Sequence, residues 1–217
     1  MLRRSLAQKL LDTLSFPLRA FLLIEKDRFG LSSLATDRFD FVAQEVQGFT
    51  LDVGCGKHNL FVSKYLKGHG KGIDLYPYEG LSEENLVSDL TRFPFDSSTF
   101  DTVTFIANLN HVPQSQRDAE LSEAFRVLKP GGNIVVTMGN PLAEILTHKV
   151  VEVYDRFLGT NFDMDNQRGM HEEEAYYLLD SEIKERLVRA GFVLLRKRRF
   201  WTQWGLNHLI AGCKPQG

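Results

Sequence analysis

The apolar run Phe49–Val53 ends in Gly54-Cys55-Gly56 and passes into Lys57-His58-Asn59-Leu60. A strand that enters a glycine-rich turn and then a helix is where a doubly wound sheet takes its ligand. Glycine lets the backbone approach a bound group closely and adopt conformations that a Cβ forbids. Asp74 closes a second apolar run, Lys71–Leu75, 20 residues after Gly54. A carboxylate at that place can accept hydrogen bonds from both hydroxyls of a ribose. Asp89 follows a third short run, Asn85–Ser88, and suits an amino group such as that of adenine. An acid on a ribose is common to several nucleoside-containing cofactors, so the device alone leaves the cofactor open. The dinucleotide fingerprint is incomplete, because Asn59 stands where Gly-x-Gly-x-x-Gly requires its third glycine.

A second constellation, Asn108-Leu-Asn-His-Val112, follows the apolar run Asp101–Ala107. His111 is the candidate general base there, since an unperturbed imidazole titrates near neutral pH. Histidines and cysteines are otherwise scattered without ligand spacing, so no metal site is expected.

The elements that must position these groups follow from periodicity. Leu2, Leu6, Leu10 and Leu14 recur every four residues and predict an amphipathic helix ended before Pro17. A further short helix is expected over 34–46. From residue 49 strand and helix alternate. Strands are expected at 49–53, 71–75, 85–88, 101–107 and 133–138. Helices are expected after Gly56, over 115–128 and over 181–190, the last two stopped by Lys129-Pro-Gly-Gly132 and by Gly191. Two closing strands, about 192–200 and 205–212, read as a hairpin. Such alternation argues for a parallel sheet with helices on both faces. Residues 141–178 break the alternation and read as a lid insert. Alternation along the last hairpin sends Arg196 and Arg198 one way and Lys197 and Arg199 the other, so the run is not one basic patch.

The 217 residues are 43% hydrophobic and 25% charged, with a formal charge of −2. That composition excludes a disordered chain and a disulfide scaffold, and gives no drive toward nucleic acid. No stretch reaches the roughly 20 apolar residues of a spanning helix. With two distant cysteines and no signal-like segment, a cytoplasmic chain is expected.

Seven motifs occur in register: Leu51–Gly56, Gly72-Ile-Asp74, Ser88-Asp-Leu90, Phe93-Pro-Phe-Asp96, Ser98-Thr-Phe-Asp-Thr-Val-Thr104, Asn110-His-Val112 and Arg126-Val-Leu-Lys-Pro-Gly-Gly132. Together they resemble the class I S-adenosylmethionine-dependent methyltransferases of the type 11, small-molecule kind, over about residues 34–140. The resemblance implies a Rossmann-like α/β fold: a doubly wound, seven-stranded, mostly parallel sheet with an antiparallel C-terminal hairpin strand. It implies one domain, 1–217, with 1–46 as a helical cover and 141–178 as the lid. It implies S-adenosylmethionine as cofactor. Asp52, Gly54, Cys55 and Gly56 would shape the methionine end of its site. Asp74 would hold the ribose and Leu75 would pack on the adenine. Asp89 and Leu90 would take the adenine edge, and Asn108 would line the transferring methyl. One departure stands out: the family reads Gly-x-Gly-x-Gly, and His58 takes the third glycine position.

The activity implied is methyl transfer to an oxygen, nitrogen or carbon of a small-molecule or lipid-like acceptor. Candidate acceptor-site residues are Asn110, Tyr154, Arg168, His171 and Tyr177. The alternatives are a nicotinamide-nucleotide oxidoreductase on a similar sheet, or a module that binds the cofactor without turnover. No nucleic-acid partner is expected. The N-terminal helix, 1–14, is expected to cover the pocket of its own domain, to touch a lipid surface or to make a dimer contact. The oligomeric state is open.

Overall fold

The computed structural model describes residues 4–21, 27–141, 156 and 177–216. Its centre is a sheet of order β2-β1-β3-β4-β6-β5. The strands are β1 (Thr50–Val53), β2 (Gly70–Ile73), β3 (Phe100–Ile106), β4 (Leu128–Gly139), β5 (Val193–Arg199) and β6 (Asn207–Cys213). The first four run parallel, while β6 is antiparallel to both β4 and β5. The hairpin therefore inserts one reversed strand, as expected.

The described sheet has six strands, not seven. The expected strand at 85–88 is a single bridge between Asp74 and Leu86, preceded by a tight turn at Glu83–Asn85. Two features explain this. Asn85 spends its side chain on Gly72 O and on a reciprocal cap with Ser82, and Ser88 and Asp89 turn away to solvent. Two apolar residues in a row, Leu86 and Val87, are too few to extend a ladder past one bridge.

Both faces of the sheet are covered. Helices α4 (Arg117–Val127) and α5 (Asp180–Arg189) bury one face, where Leu121, Ala124, Val127, Ile183 and Leu187 meet Val103, Ile134 and Val136. Helix α3 (Leu34–Ala43) covers the other with Phe41 and Val42, against Phe61, Val62, Val135, Leu209 and Ala211. The period of two on β4 thus sends Ile134 and Val136 one way and Val135 the other. The helix expected after Gly56 is only a short π-helical turn at Phe61–Tyr65, because the chain first passes through left-handed His58 and Asn59.

The N-terminal segment departs from its expected orientation. Helix α1 (Leu6–Leu14) stops at Ser15, and Pro17 opens helix α2 (Phe16–Phe21) rather than merely ending α1. Proline is tolerated in a first helical turn, where its missing N–H has no partner to lose. Helix α1 turns its leucines outward: Leu6, Leu10 and Leu14 are 70%, 52% and 81% exposed. Its polar face is the buried one. Arg19 is fully buried and donates to Asp12 O at 2.7 Å, Ser32 O at 2.9 Å and Thr202 O at 3.1 Å. Asp37 completes the cluster, accepting from Thr202 Oγ1 at 2.8 Å and Gln203 Nε2 at 3.1 Å. Burial pushes the Asp37 carboxyl up, against the pull of Thr202 and the Arg19 and Arg4 guanidiniums. These charges tie α1–α3 to the β5–β6 connection. None of the described residues of 1–46 lines the cleft described below.

On β5 the alternation holds as expected: Arg196 and Arg198 both pair with Glu45, and Lys197 pairs with Asp180. Most of the lid insert, including Tyr154, Arg168 and His171, lies outside the described residues.

Candidate active site

The sequence order β1, β2, then β3 on the far side of β1 makes a switch point between β1 and β3. Ligands of doubly wound sheets bind at such points, beyond the strands' carboxyl ends. A cleft of about 660 Å³ opens there, lined by Gly54, Asp74, Leu75, Asp89, Leu90, Asn108 and His111, among others.

The strand ends and turns build its floor. Gly54 adopts φ +71°, and a Cβ there would lie 2.2 Å from Asn108 Cγ. The turn after β1 can therefore meet the turn after β3 only through glycine. Asp74 is the hinge of the site. Its Oδ2 accepts from Gly56 N at 2.9 Å and its Oδ1 from Tyr76 N at 3.0 Å. Each carboxylate oxygen keeps a second lone pair for a ligand. Asn108 Nδ2 is buried with no partner among the described residues. An orphaned donor beside a glycine cradle is what a bound group would satisfy.

Asp52 and Cys55 are placed differently from expectation. Neither lines the cleft. Asp52 lies under its floor, where Thr104 Oγ1 donates to Oδ1 at 2.5 Å. Burial raises its carboxyl to about 8, and the charge of Asp74 adds to that. Burial likewise pushes the Cys55 thiol up, with Asp52 and Asp74 adding, so Cys55 stays protonated and is no nucleophile. Gly56 acts through its N–H on Asp74 rather than at the cleft surface.

The adenine-side residues are also held. Asp89 Oδ1 accepts from Thr91 N and Thr91 Oγ1, both at 2.7 Å, and these bonds hold its exposed carboxyl below the usual range. His111 ends a tight turn at Leu109–His111 and faces Asn110 Nδ2 across 3.2 Å. Asn110 itself is buried beneath the lining. Tyr177 lies apart, in a separate hollow with Arg117 and Glu182. His58, at the departing glycine position, leans on Gly80 and Glu79 and does not line the cleft. The structure also adds Tyr76, Tyr78, Gln116 and Glu120 to the lining. Sequence reading missed Glu120, although it shares the i, i+4, i+7 spacing of buried Ala124 and Val127.

The electrostatics are one-sided. Asp74, Asp89 and Glu120 line the cleft, and no Lys or Arg does among the described residues.

Residues 51–136 match the methyltransferase domain family. Over that stretch the chain is similar to S-adenosylmethionine-dependent methyltransferases. It is 32% identical over 142 residues to the ubiquinone/menaquinone biosynthesis C-methyltransferase UbiE of Cereibacter sphaeroides, covering 59% of this chain and 52% of that protein. The chain spans about half the length of the curated relatives it matches. The same fold occurs in a possible histamine N-methyltransferase from Thermotoga maritima (TM-score 0.56, 16% identity, covering 95% of this chain and 97% of that one). It also occurs in the [4+2]-cyclase SpnF (TM-score 0.58, 19% identity, covering 97% and 96%). The residues fit this methyltransferase family's cofactor. A cationic sulfonium and an ammonium suit an acid-lined cleft, and Gly54 and Asn108 leave a cradle for the ligand.

Proposed function

We propose that this chain transfers a methyl group from S-adenosylmethionine to a small, quinone-like acceptor, with a ring carbon as the favoured position. The observation that carries the reading is the charge of the cleft. The carboxylates of Asp74 and Asp89, and no Lys or Arg, line it among the described residues. A dinucleotide would set its pyrophosphate against those acids. A sulfonium cofactor meets them with opposite charge. The carbon position is supported by the likeness to UbiE, named as a C-methyltransferase.

When bound, the cofactor supplies an electrophilic methyl group on sulfur. The chain's own work is to position and to manage a proton. Asp74 would hold the ribose through its free lone pairs, and Gly54 with Asn108 would set the depth of the methionine end. Leu75 and Leu90 would flank the adenine. Asp52, under the floor, would support the turn rather than touch the ligand. His111, on the cleft wall, would accept the proton of an acceptor hydroxyl as the ring carbon takes the methyl from sulfur; loss of the proton on that carbon, with return of a proton to the oxygen, would then restore the aromatic ring. Asn110 orients the imidazole. Alignment of this kind is worth about 7–11 kcal/mol of barrier. The outward leucines of α1, with half-exposed Trp204 bonded to Thr13 O, support contact with a lipid surface where such acceptors reside. Two unpaired cysteines, Cys55 and Cys213, suit a thiol-reducing cytoplasm.

Thermal unfolding with S-adenosylmethionine, S-adenosylhomocysteine, NAD and NADP tests the cofactor. A ligand at 100 times its Kd adds about 2.7 kcal/mol, which raises the midpoint by roughly 5–10 °C at this length. Only the two sulfur compounds are expected to do so. Labelled methyl transfer to a demethylated quinol then tests the acceptor. His111→Ala is expected to cut turnover by about 10²–10⁴ while S-adenosylhomocysteine affinity stays within threefold. Unchanged turnover would remove His111 as the base.

A further inference from the structure

Helix α4 buries a carboxylic acid whose Oε2 no described residue satisfies. Glu120 is 1% exposed, and its Oε2 has no hydrogen-bond partner among the described residues. It lies on the cleft wall, with Asp89, Leu90 and Gln116. A buried polar atom left unpaired is destabilising, so the group calls for a ligand. The charged neighbours do not answer it. From α4 itself, Arg117 is spent on Val112 O, Asn110 O and Glu182, and Glu123 on Arg126 and Phe93 N. From α5, Arg186 holds Asp118 and Glu182. From β4, Lys129 is paired with Asp101. The same cleft is also lined by Asp74, Tyr76, Tyr78 and His111. Burial therefore holds the Glu120 carboxyl at about 8, and the Asp89 charge adds to the shift.

A neutral carboxylic acid presents one donor and one acceptor side by side. That pair complements a ligand edge with an acceptor next to an N–H donor. The adenine edge, N1 beside the N6 amino group, is such an edge. Asp89, the residue expected to take the amino group, is exposed and has Oδ1 committed to Thr91. We propose that Glu120, as an uncharged acid, reads the adenine edge of the cofactor, donating to N1 and accepting from the N6 amino group. This rests on the methyltransferase reading above.

Ionisation of Glu120 removes the donor. Affinity for S-adenosylhomocysteine should therefore be flat between pH 6.5 and 7.5 and fall toward tenfold per unit above pH 8. Glu120→Gln keeps a donor and an acceptor but cannot ionise. By titration calorimetry it should match the native affinity at pH 6.5 and lose most of the fall at pH 9. Glu120→Ala should bind at least tenfold more weakly at pH 6.5. The 1-deazaadenine counterpart of the ligand, lacking the N1 acceptor, should lose affinity for the native chain but not for Glu120→Ala. A second readout needs no ligand. The unfolded glutamate titrates near its ordinary value, so the folded chain loses stability as pH rises from about 4.5 to about 8. Glu120→Gln should unfold at the native temperature at pH 4.5 and above it at pH 8. Equal pH slopes in the native and Gln chains would assign the fall to the ligand's own amino group and overturn the inference. So would an Ala variant within twofold of native. No binding at any pH would instead overturn the cofactor reading itself, and the inference with it.

Discussion

Asp74→Ala is expected to weaken S-adenosylhomocysteine binding at least 100-fold, about 2.7 kcal/mol, while the chain still folds. The size follows from what the carboxylate does on both sides. Toward the ligand it offers the two lone pairs left after Gly56 N and Tyr76 N are satisfied. Hydrogen bonds to a charged group are worth about 1.5–3 kcal/mol each, and a ribose has two hydroxyls to give. Toward the protein, the same side chain pins the glycine turn after β1 to the turn after β2. Its removal leaves two N–H groups without their acceptor and loosens the cradle. The two effects separate with a 2′-deoxy form of the ligand. Loss of that hydroxyl should weaken binding to the native chain and change little in Asp74→Ala, because the partner is already gone. A folded Asp74→Ala chain with native affinity would remove the ribose assignment. Equal loss of the 2′-hydroxyl in both chains would leave Asp74 as a support for the turn alone.

What the sequence made legible divides along a physical line. Backbone necessities were visible. Gly54 needs a positive φ and no Cβ, and Asp74 must end the second strand, so their types and spacing announced the turn, the switch point and the cleft. The alternation on β4 and β5 was equally plain, since period two leaves few choices. Pairing at the sheet edge was not visible. Asn85–Ser88 has strand-like neighbours, yet side-chain bonds of Asn85 replace the ladder. Nor was the direction of α1. A leucine stripe reads as a buried face, because apolar burial is the default source of helix stability. Here the opposite face is claimed by a charge cluster assembled from residues far apart in the chain, Arg4, Asp12, Arg19, Asp37 and Thr202. No local period encodes such a cluster. Glu120 failed for a related reason: an acid on a helix reads as solvated until the fold shows it buried.

That cluster sets the largest stability effect. Arg19→Met should cost about 3–5 kcal/mol, the usual penalty for breaking a buried ion pair from one side. At this chain length the midpoint should fall by roughly 6–20 °C. Methionine fills much of the volume, so the loss is mainly one of charge and hydrogen bonds. Asp12 O, Ser32 O and Thr202 O lose a donor, and Asp37 loses its buried counter-charge. The pH dependence identifies the cause. Arg19 draws the Asp37 carboxyl down against burial. Without it, the folded value rises further above the unfolded one. A raised folded value means stability that is complete at low pH and lost as pH rises through it. The deficit of Arg19→Met should therefore be smaller at pH 5 than at pH 8. Asp37→Asn in the same chain should recover part of it at pH 8 and little at pH 5. A midpoint within 3 °C of native would show that the cluster is held by Arg4, Thr202 and Gln203 alone. Ligand affinity supplies the last discrimination. None of these residues lines the cleft, so below its lowered midpoint Arg19→Met should bind S-adenosylhomocysteine with native affinity. If binding fell with stability, the α1–α3 layer would be part of the site's support, coupled to it through α3 and the strands it packs on.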